Sequence, residues 1–396
     1  MKKGFLLRGG TVRGFNPLIW LVLSNLLIVF LGIGLIVPVM PTLMNEMGLS
    51  GATMGYLMSA FSITQLIFSP LAGRWIDRYG RKKLIVIGMI IFGFSELLFA
   101  VGTHVGVLYA ARFIGGISAA FIMPAVTAYV ADITTIEQRS KAMGLVSAVI
   151  NTGFILGPGI GGFLAQIDTR MPFYVAATLG FVGAVGSLFA LKESNYVASE
   201  KQASGNTQQW KKLLLPSFAI PFIVIFISSF GLATYETVYG LFLDHQLNYS
   251  AGDIATLLTV SGIVGAVFQL FLFDGLTRKI GEINLIRVSM LIAALFMIFM
   301  IKSNSYAVIF FVTIVVFLTF DLIRPALTTY LSKIAGNEQG FVGGMNSMFT
   351  SIGNIAGPAI AGILFDMEVH LPYYFAMIVL GLSFIITLAW KKPKEL

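Results

Sequence analysis

Five ionisable residues interrupt long apolar runs in this sequence: Glu96, Arg112, Glu236, Asp321 and Arg324. A charge inside a lipid-spanning segment is costly, so each such group must be paired, functional or both. A carboxyl placed there can bind and release a proton, or attract a cation. Glu236 stands in Ala233-Thr234-Tyr235-Glu236-Thr237-Val238-Tyr239. Tyrosine rings and threonine hydroxyls beside an acid suit an organic cation; a structural carboxyl bonded to a neighbouring helix is the other reading. Asp321 and Arg324 are three apart and share a helix face, which suits a binding site and equally an intrahelical ion pair. Other chemistry is not visible. The sequence has no Walker A pattern, no nucleophile elbow and no HExxH. His104, His245 and His370 stand singly in predicted loops, and Cys is absent. We expect no catalytic group, no metal and no cofactor.

Such residues need membrane helices to carry them. The chain is 57% hydrophobic and 11% charged, against roughly 25% charged in soluble domains. A span takes roughly 20 apolar residues, and windows of that size predict twelve, at 18–40, 54–73, 84–101, 107–130, 142–166, 172–191, 218–242, 252–273, 284–301, 305–330, 341–365 and 372–390. The basic N-terminus resembles a signal peptide, but the apolar run to Met40 is too long for one, and it reads as an uncleaved first helix. Of the 26 Lys and Arg residues, all but Arg112, Arg170, Lys302 and Arg324 fall on one side of this twelve-span path. The positive-inside rule makes that side, with both termini, cytoplasmic. It also accounts for the net charge of +8 without nucleic acid. The polar stretch Lys192 to Leu215 reads as a linker, dividing the chain into 1–192, 193–215 and 216–396.

The two parts repeat one another. Gly153-Phe154-Ile155-Leu156-Gly157-Pro158 and Gly162 return as Gly353-Asn354-Ile355-Ala356-Gly357-Pro358 and Gly362. Pro124 to Tyr129 matches Pro325 to Tyr330, and Arg170 to Tyr174 matches His370 to Tyr374, at nearly one offset. Glycines spaced by four let membrane helices approach closely, and proline lets them bend. Two parallel halves point to a transporter with its site between them.

Several stretches carry a family resemblance. Gly73-Arg74-Trp75-Ile76-Asp77-Arg78-Tyr79-Gly80-Arg81-Lys82-Lys83 resembles the signature loop of the major facilitator superfamily, and Phe273 to Glu282 is a degraded counterpart with Thr277 in place of the aspartate. Leu31 to Pro41, Arg112-Phe113-Ile114-Gly115-Gly116 and Gly153 to Gly162 resemble first-, fourth- and fifth-helix motifs of twelve-span drug:proton antiporters. Across nearly the whole chain the sequence is similar to the quinolone-resistance multidrug efflux pumps of Gram-positive bacteria, the Bmr, Blt and NorA group.

The resemblance implies an all-α membrane protein of twelve helices in two pseudo-symmetric six-helix bundles. It implies a monomeric antiporter in a bacterial cytoplasmic membrane, driven by the proton motive force and exporting amphipathic, often cationic drugs. Glu236 and Asp321 would couple protons, and Arg112 would take part in proton coupling or gating, a buried structural donor being its other reading. Phe30, Phe61, Gln65, Ile150, Asn151, Phe154 and Asn354 would line the pocket with the two acids, packing being their reading on sequence alone; Tyr239 and Arg324 join them from their places beside the acids. Gly73, Asp77, Arg78 and Asp132 would form a cytoplasmic latch, with Gly153, Gly157, Pro158, Gly357 and Pro358 packing helices. Glu96 has no counterpart in the resemblance, lies on a helix outside the central set, and reads as structural. A same-fold carrier of one metabolite and a non-transporting membrane sensor or scaffold are the alternatives.

The charge distribution makes a testable statement about topology. In this Cys-free chain a cysteine at Ser204 should be protected from an impermeant thiol reagent in intact cells, and one at Ser303 should react. The reverse labelling pattern would invert the orientation.

Overall fold

The computed structural model describes residues 16–194, 216–335 and 339–390. Most of the expected linker, 195–215, lies outside the described residues. The described chain is helical: α1 (Leu18–Met47), α2 (Gly51–Tyr79), α3 (Arg81–Val101), α4 (Val105–Asp132), α5 (Ile136–Ala165), α6 (Met171–Ala190), α7 (Pro216–Leu247), α8 (Ala251–Phe271), α9 (Phe273–Ile280), α10 (Glu282–Lys302), α11 (Tyr306–Ala335), α12 (Gln339–Met367) and α13 (Leu371–Leu388). Twelve are long and apolar enough to cross a membrane. The short α9 was not expected. In the first half α2 runs unbroken to Tyr79, whereas in the second the matching helix stops at Phe271 and resumes as α9.

Local chemistry sets the turns, and it repeats between the halves. Ser50 caps α2 by accepting from Thr53 N, and Ser250 caps α8 in a capping box with Asp253. Gly80 and Gly281 sit at φ +97° and +79°, a conformation only glycine adopts without strain, and each turns the chain straight into the next helix. The first residues after α6 dock on the first bundle: Tyr129 OH donates to Lys192 O at 3.0 Å and Ser194 Oγ to Asp132 at 2.7 Å.

The repeated glycines mark where backbones meet. A Cβ at Gly157 would lie 2.8 Å from Gly34 Cα and 2.9 Å from Leu31 O, both in α1. One at Gly357 would lie 2.7 Å from Phe230 O in α7. Gly153 faces α1 and Gly353 faces α7 in the same way. Each bundle thus packs its fifth spanning helix on its first. Gly162 and Gly362 look across the molecule: a Cβ at Gly162 would stand 2.6 Å from Ala251 O of α8, and one at Gly362 would stand 2.9 Å from Ala52 Cα of α2.

The halves therefore meet along α2 with α12 and α5 with α8. Contact is tight at the end carrying turns 48–50, 166–170 and 248–250. There the Asp366 carboxylate accepts from Gly51 N at 2.6 Å and Ala52 N at 2.8 Å, capping α2 from the opposite half. A carboxylate at a helix N-terminus satisfies orphan donors and complements the macrodipole. Asn45 donates to Asp244 at 2.7 Å beside it. Ser59 donates to Ile355 O at 2.7 Å further in. Toward the other end the helices spread, and a Cβ at Gly73, Gly144, Gly343 or Gly344 would meet nothing within 4 Å.

The spread end is braced within each half. Arg81 donates from Nε to Asp132 at 2.9 Å, from Nη1 to Ile76 O at 2.9 Å, and pairs with Asp77 at 3.1 Å. At the equivalent positions Glu282 of α10 pairs with Lys333 of α11. The brace exists in both halves with its charges exchanged.

Two outcomes follow from this packing. Gly157→Leu and Gly357→Leu should insert normally, since leucine favours the membrane, but lose transport through helix displacement costing about 1–3 kcal/mol or more; wild-type efflux from both would refute the close-contact account. Arg81→Glu should destabilise by about 3 kcal/mol or more, as a broken, largely buried pair does. Adding Asp132→Lys copies the second half and should recover a good part of that loss in thermal unfolding. No recovery would mean the pairs are not equivalent.

Candidate functional site

The site is organised by how deeply the halves interlock. On one seam the cross-half bond from Ser59 ends at Ile355, and Asn354, the next residue along α12, is exposed. On the other seam a Cβ at Gly262 of α8 would lie 2.8 Å from Ile155 of α5, and Phe154 beside it is exposed. One turn further along α8, Gly265 admits Asp321 of α11, whose carboxylate occupies the space a Cβ would fill. Phe154, Asn354 and Asp321 therefore stand at one level, where the halves part.

Asp321 lies at the middle of α11, and Glu236 lies beyond the middle of α7. Both are half-buried. Among the described residues neither carboxyl has a hydrogen-bond partner. Their charges act on one another, and Arg324 opposes both. Two acids and one guanidinium in a poorly solvated place leave a net negative charge whenever both acids are ionised. That arrangement attracts a cation, and it is relieved by a proton. Asp321 and Arg324 share a face but close no ion pair among the described residues, and Arg324 is exposed.

The first-half residues expected to line the pocket lie on α1, α2 and α5. Phe30 and Phe154 meet edge to face with centroids 5.2 Å apart. Phe61, Gln65 and Ile150 are half-buried, and Asn151 is exposed. Gly115 and Gly116 of α4 bring α2 close: a Cβ at Gly115 would touch the Phe61 ring at 3.4 Å, and one at Gly116 would lie 3.1 Å from Gln65 N.

Tyr239 is not where the sequence analysis puts it. It is fully buried, and its hydroxyl bonds Thr313 at 2.8 Å inside the second bundle. Tyr235 is buried beside it, edge-on to Phe317 at 5.5 Å. The tyrosines flanking Glu236 thus find their polar partners and ring contacts in the bundle core and support the acid from behind. Arg112 also stands apart, 4% exposed within the first bundle, with its guanidinium 4.3 Å from the centroid of the Phe99 ring.

The latch differs in its centre. Arg78 lies over the Tyr79 ring at 5.4 Å, and Arg81 is the residue that joins Asp77 to Asp132. The contact ties α2, α3 and α4 of one half together. Arg81, Glu282, Lys333, Gly265 and Asp366 escaped the sequence reading. Arg81 with Asp132 and Glu282 with Lys333 keep the repeat offset, and that offset was the available signal. Asp366 and Gly265 carry none, because their role depends on a neighbour remote in sequence. A hollow of about 700 Å³ opens at the spread end, lined by Asp274, Arg278, Lys279, Glu282 and Lys333 among others. It is distant from the acids, and its ionic lining does not suit an amphipathic ligand.

Comparison with known proteins places this geometry in context. The family model for the Major Facilitator Superfamily matches residues 22–241 and 221–396. Multidrug resistance protein 1 of Bacillus subtilis is 52% identical over 381 residues, covering 96% of this chain and 98% of that protein. The quinolone resistance protein NorA of Staphylococcus aureus is 42% identical over 362 residues, covering 91% and 93%. Among solved structures, a bacterial homologue of the human lysosomal transporter Spinster, inward-facing and occupied, superposes with a TM-score of 0.82 at 16% identity, over 94% of this chain and 95% of that one. The chain with its twelve spans and two matched bundles belongs to the major facilitator superfamily, within its multidrug efflux group.

Proposed function

We propose that this chain is a multidrug efflux carrier that exchanges protons for amphipathic, often cationic compounds, such as dyes, quaternary ammonium compounds and fluoroquinolones. The observation that carries the reading is the pair Glu236 and Asp321, two half-buried carboxyls inside spans without a hydrogen-bond partner among the described residues. The names borne by relatives at 42% and 52% identity, quinolone resistance and multidrug resistance, agree with it.

In this reading the tightly joined end faces outward, the spread end faces the cytoplasm, and both chain termini are cytoplasmic. The halves, 1–192 and 216–396, rock as units tethered by 193–215. A drug enters from the cytoplasm and lies between Phe30, Phe61, Gln65, Ile150, Asn151 and Phe154 on one side and the acids with Arg324 and Asn354 on the other. When the outer seam opens, protons from outside neutralise the acids and the cation leaves. Return of the protonated carrier releases protons inside. The carrier acts as a monomer, needs no cofactor beyond the proton gradient, and catalyses no covalent reaction.

The first test is dye efflux from membrane vesicles with and without a pH gradient. Efflux that ignores the gradient would exclude proton coupling. A second prediction isolates Glu236. Glutamine keeps the shape and cannot ionise, so Glu236→Gln should fold normally and bind a cationic dye about tenfold more weakly, a change of about 1.4 kcal/mol. The pH dependence of binding should flatten together with the affinity, since a titrating group is gone. Dye affinity and pH slope equal to wild type would make Glu236 structural.

A further inference from the structure

Glu96 and Arg112 form a second buried ionisable pair that the reading above leaves unused. Glu96 of α3 is 5% exposed and Arg112 of α4 is 4% exposed. Both lie toward the tightly joined end, on adjacent packed helices. Their charges act on one another, yet they make no ion pair among the described residues. Among the described residues, Glu96 Oε2 and Arg112 Nε and Nη2 are buried without a hydrogen-bond partner. Arg112 instead rests on the face of Phe99, one helical turn from Glu96, and Phe99 is packed on Phe173 of α6 at 4.7 Å.

Among the described residues, the other charged groups at this end make no bond to Glu96. Packed against α3 are α4, α6, α2 and α1. At this end α4 adds Tyr109, α6 adds Tyr174, α2 adds Tyr56 and α1 adds Glu46, which accepts from Thr169 at 2.6 Å. Arg170 is committed to the end of α3, donating to Ala100 O at 2.8 Å and Gly102 O at 2.6 Å. The remaining charges on α3, Arg81, Lys82 and Lys83, are at the far end.

A buried carboxylate and guanidinium that fail to bond each other leave two desolvated ions poorly compensated. An un-ionised carboxyl beside a guanidinium held on an aromatic face is far less costly. We propose that Glu96 is a proton-binding site of the first half. It holds a proton in the conformation described here and pairs with Arg112 when the proton is lost. The step makes or breaks only the O–H bond of Glu96. The proton comes from the outer solution, because the pair lies toward the outer end, and Arg112 stays charged throughout. Its part in transport rests on the antiport reading, whereas the protonation itself does not.

Infrared spectroscopy tests the protonation directly. In purified Glu236→Gln/Asp321→Asn protein at neutral pH, the carbonyl band of an un-ionised carboxylic acid should remain, and adding Glu96→Gln should remove it. A folded double variant without that band, or a band indifferent to Glu96→Gln, would overturn the proposal. Should the double variant not fold, the difference between wild type and Glu96→Gln alone reads the same band. In vesicles, Glu96→Gln should flatten the dependence of dye efflux on external pH, and Glu96→Asp should restore it. A lowered melting temperature with an unchanged pH profile would make Glu96 structural and sink the idea. Wild-type vesicles without gradient-driven efflux would fail the antiport reading, and the infrared band would still decide whether Glu96 binds a proton.

Discussion

Backbone-to-backbone contact between helices is the constraint on which the rest of this molecule depends. In lipid, apolar side chains gain little by touching one another, so close packing and hydrogen bonds must hold the helices. Gly153, Gly157, Gly353 and Gly357 let α5 lie on α1 and α12 lie on α7 with no side chain between. Gly162 and Gly362 extend the same surfaces across the molecule to α8 and α2. One face of one helix therefore both builds a bundle and docks it on the other bundle. At Gly162 and Gly362 the seam is made of backbone atoms and small residues, and side chains such as Ile155 meet glycine across it rather than one another.

Polar groups then decide which end of the seam is shut. Asp366 caps α2 from across the molecule, and Asn45 bonds Asp244 nearby. At the spread end the strong pairs, Arg81 with Asp132 and Glu282 with Lys333, stay within their own halves. Ion pairs thus stiffen each half where the halves separate, and hydrogen bonds join them where they meet. Asp321, admitted by Gly265, stands at the boundary between these regimes.

Much of this was legible in the sequence because lipid imposes simple rules. Every span is apolar, most basic residues fall on one side of the twelve-span path, and the duplicated Gly-Pro stretch announces the halves. Of the candidate site, Glu236 and Asp321 stand out in sequence as costly charges inside spans, and Phe154 through a family match. Tyr239 was misplaced, because composition around an acid cannot say which way a ring turns, and its hydroxyl finds Thr313 in the core. The brace was read on Asp77 and Arg78, although Arg81 carries it, since neighbouring arginines in one turn look alike in sequence. The exchanged pair Glu282 and Lys333 was hidden because a search for the same residue type overlooks the same interaction with opposite signs.

The central claim is that two rigid halves part at the end clasped by Asp366. The chain has no cysteine, so spin labels at Tyr56 of α2 and Met367 of α12 report that end alone. Both positions are exposed. Pulsed electron resonance should find a dominant short distance and a second, longer one. The longer population should grow when Asp366→Ala removes the clasp. A single distance, unmoved by Asp366→Ala, by acidification and by a cationic dye, would contradict the account.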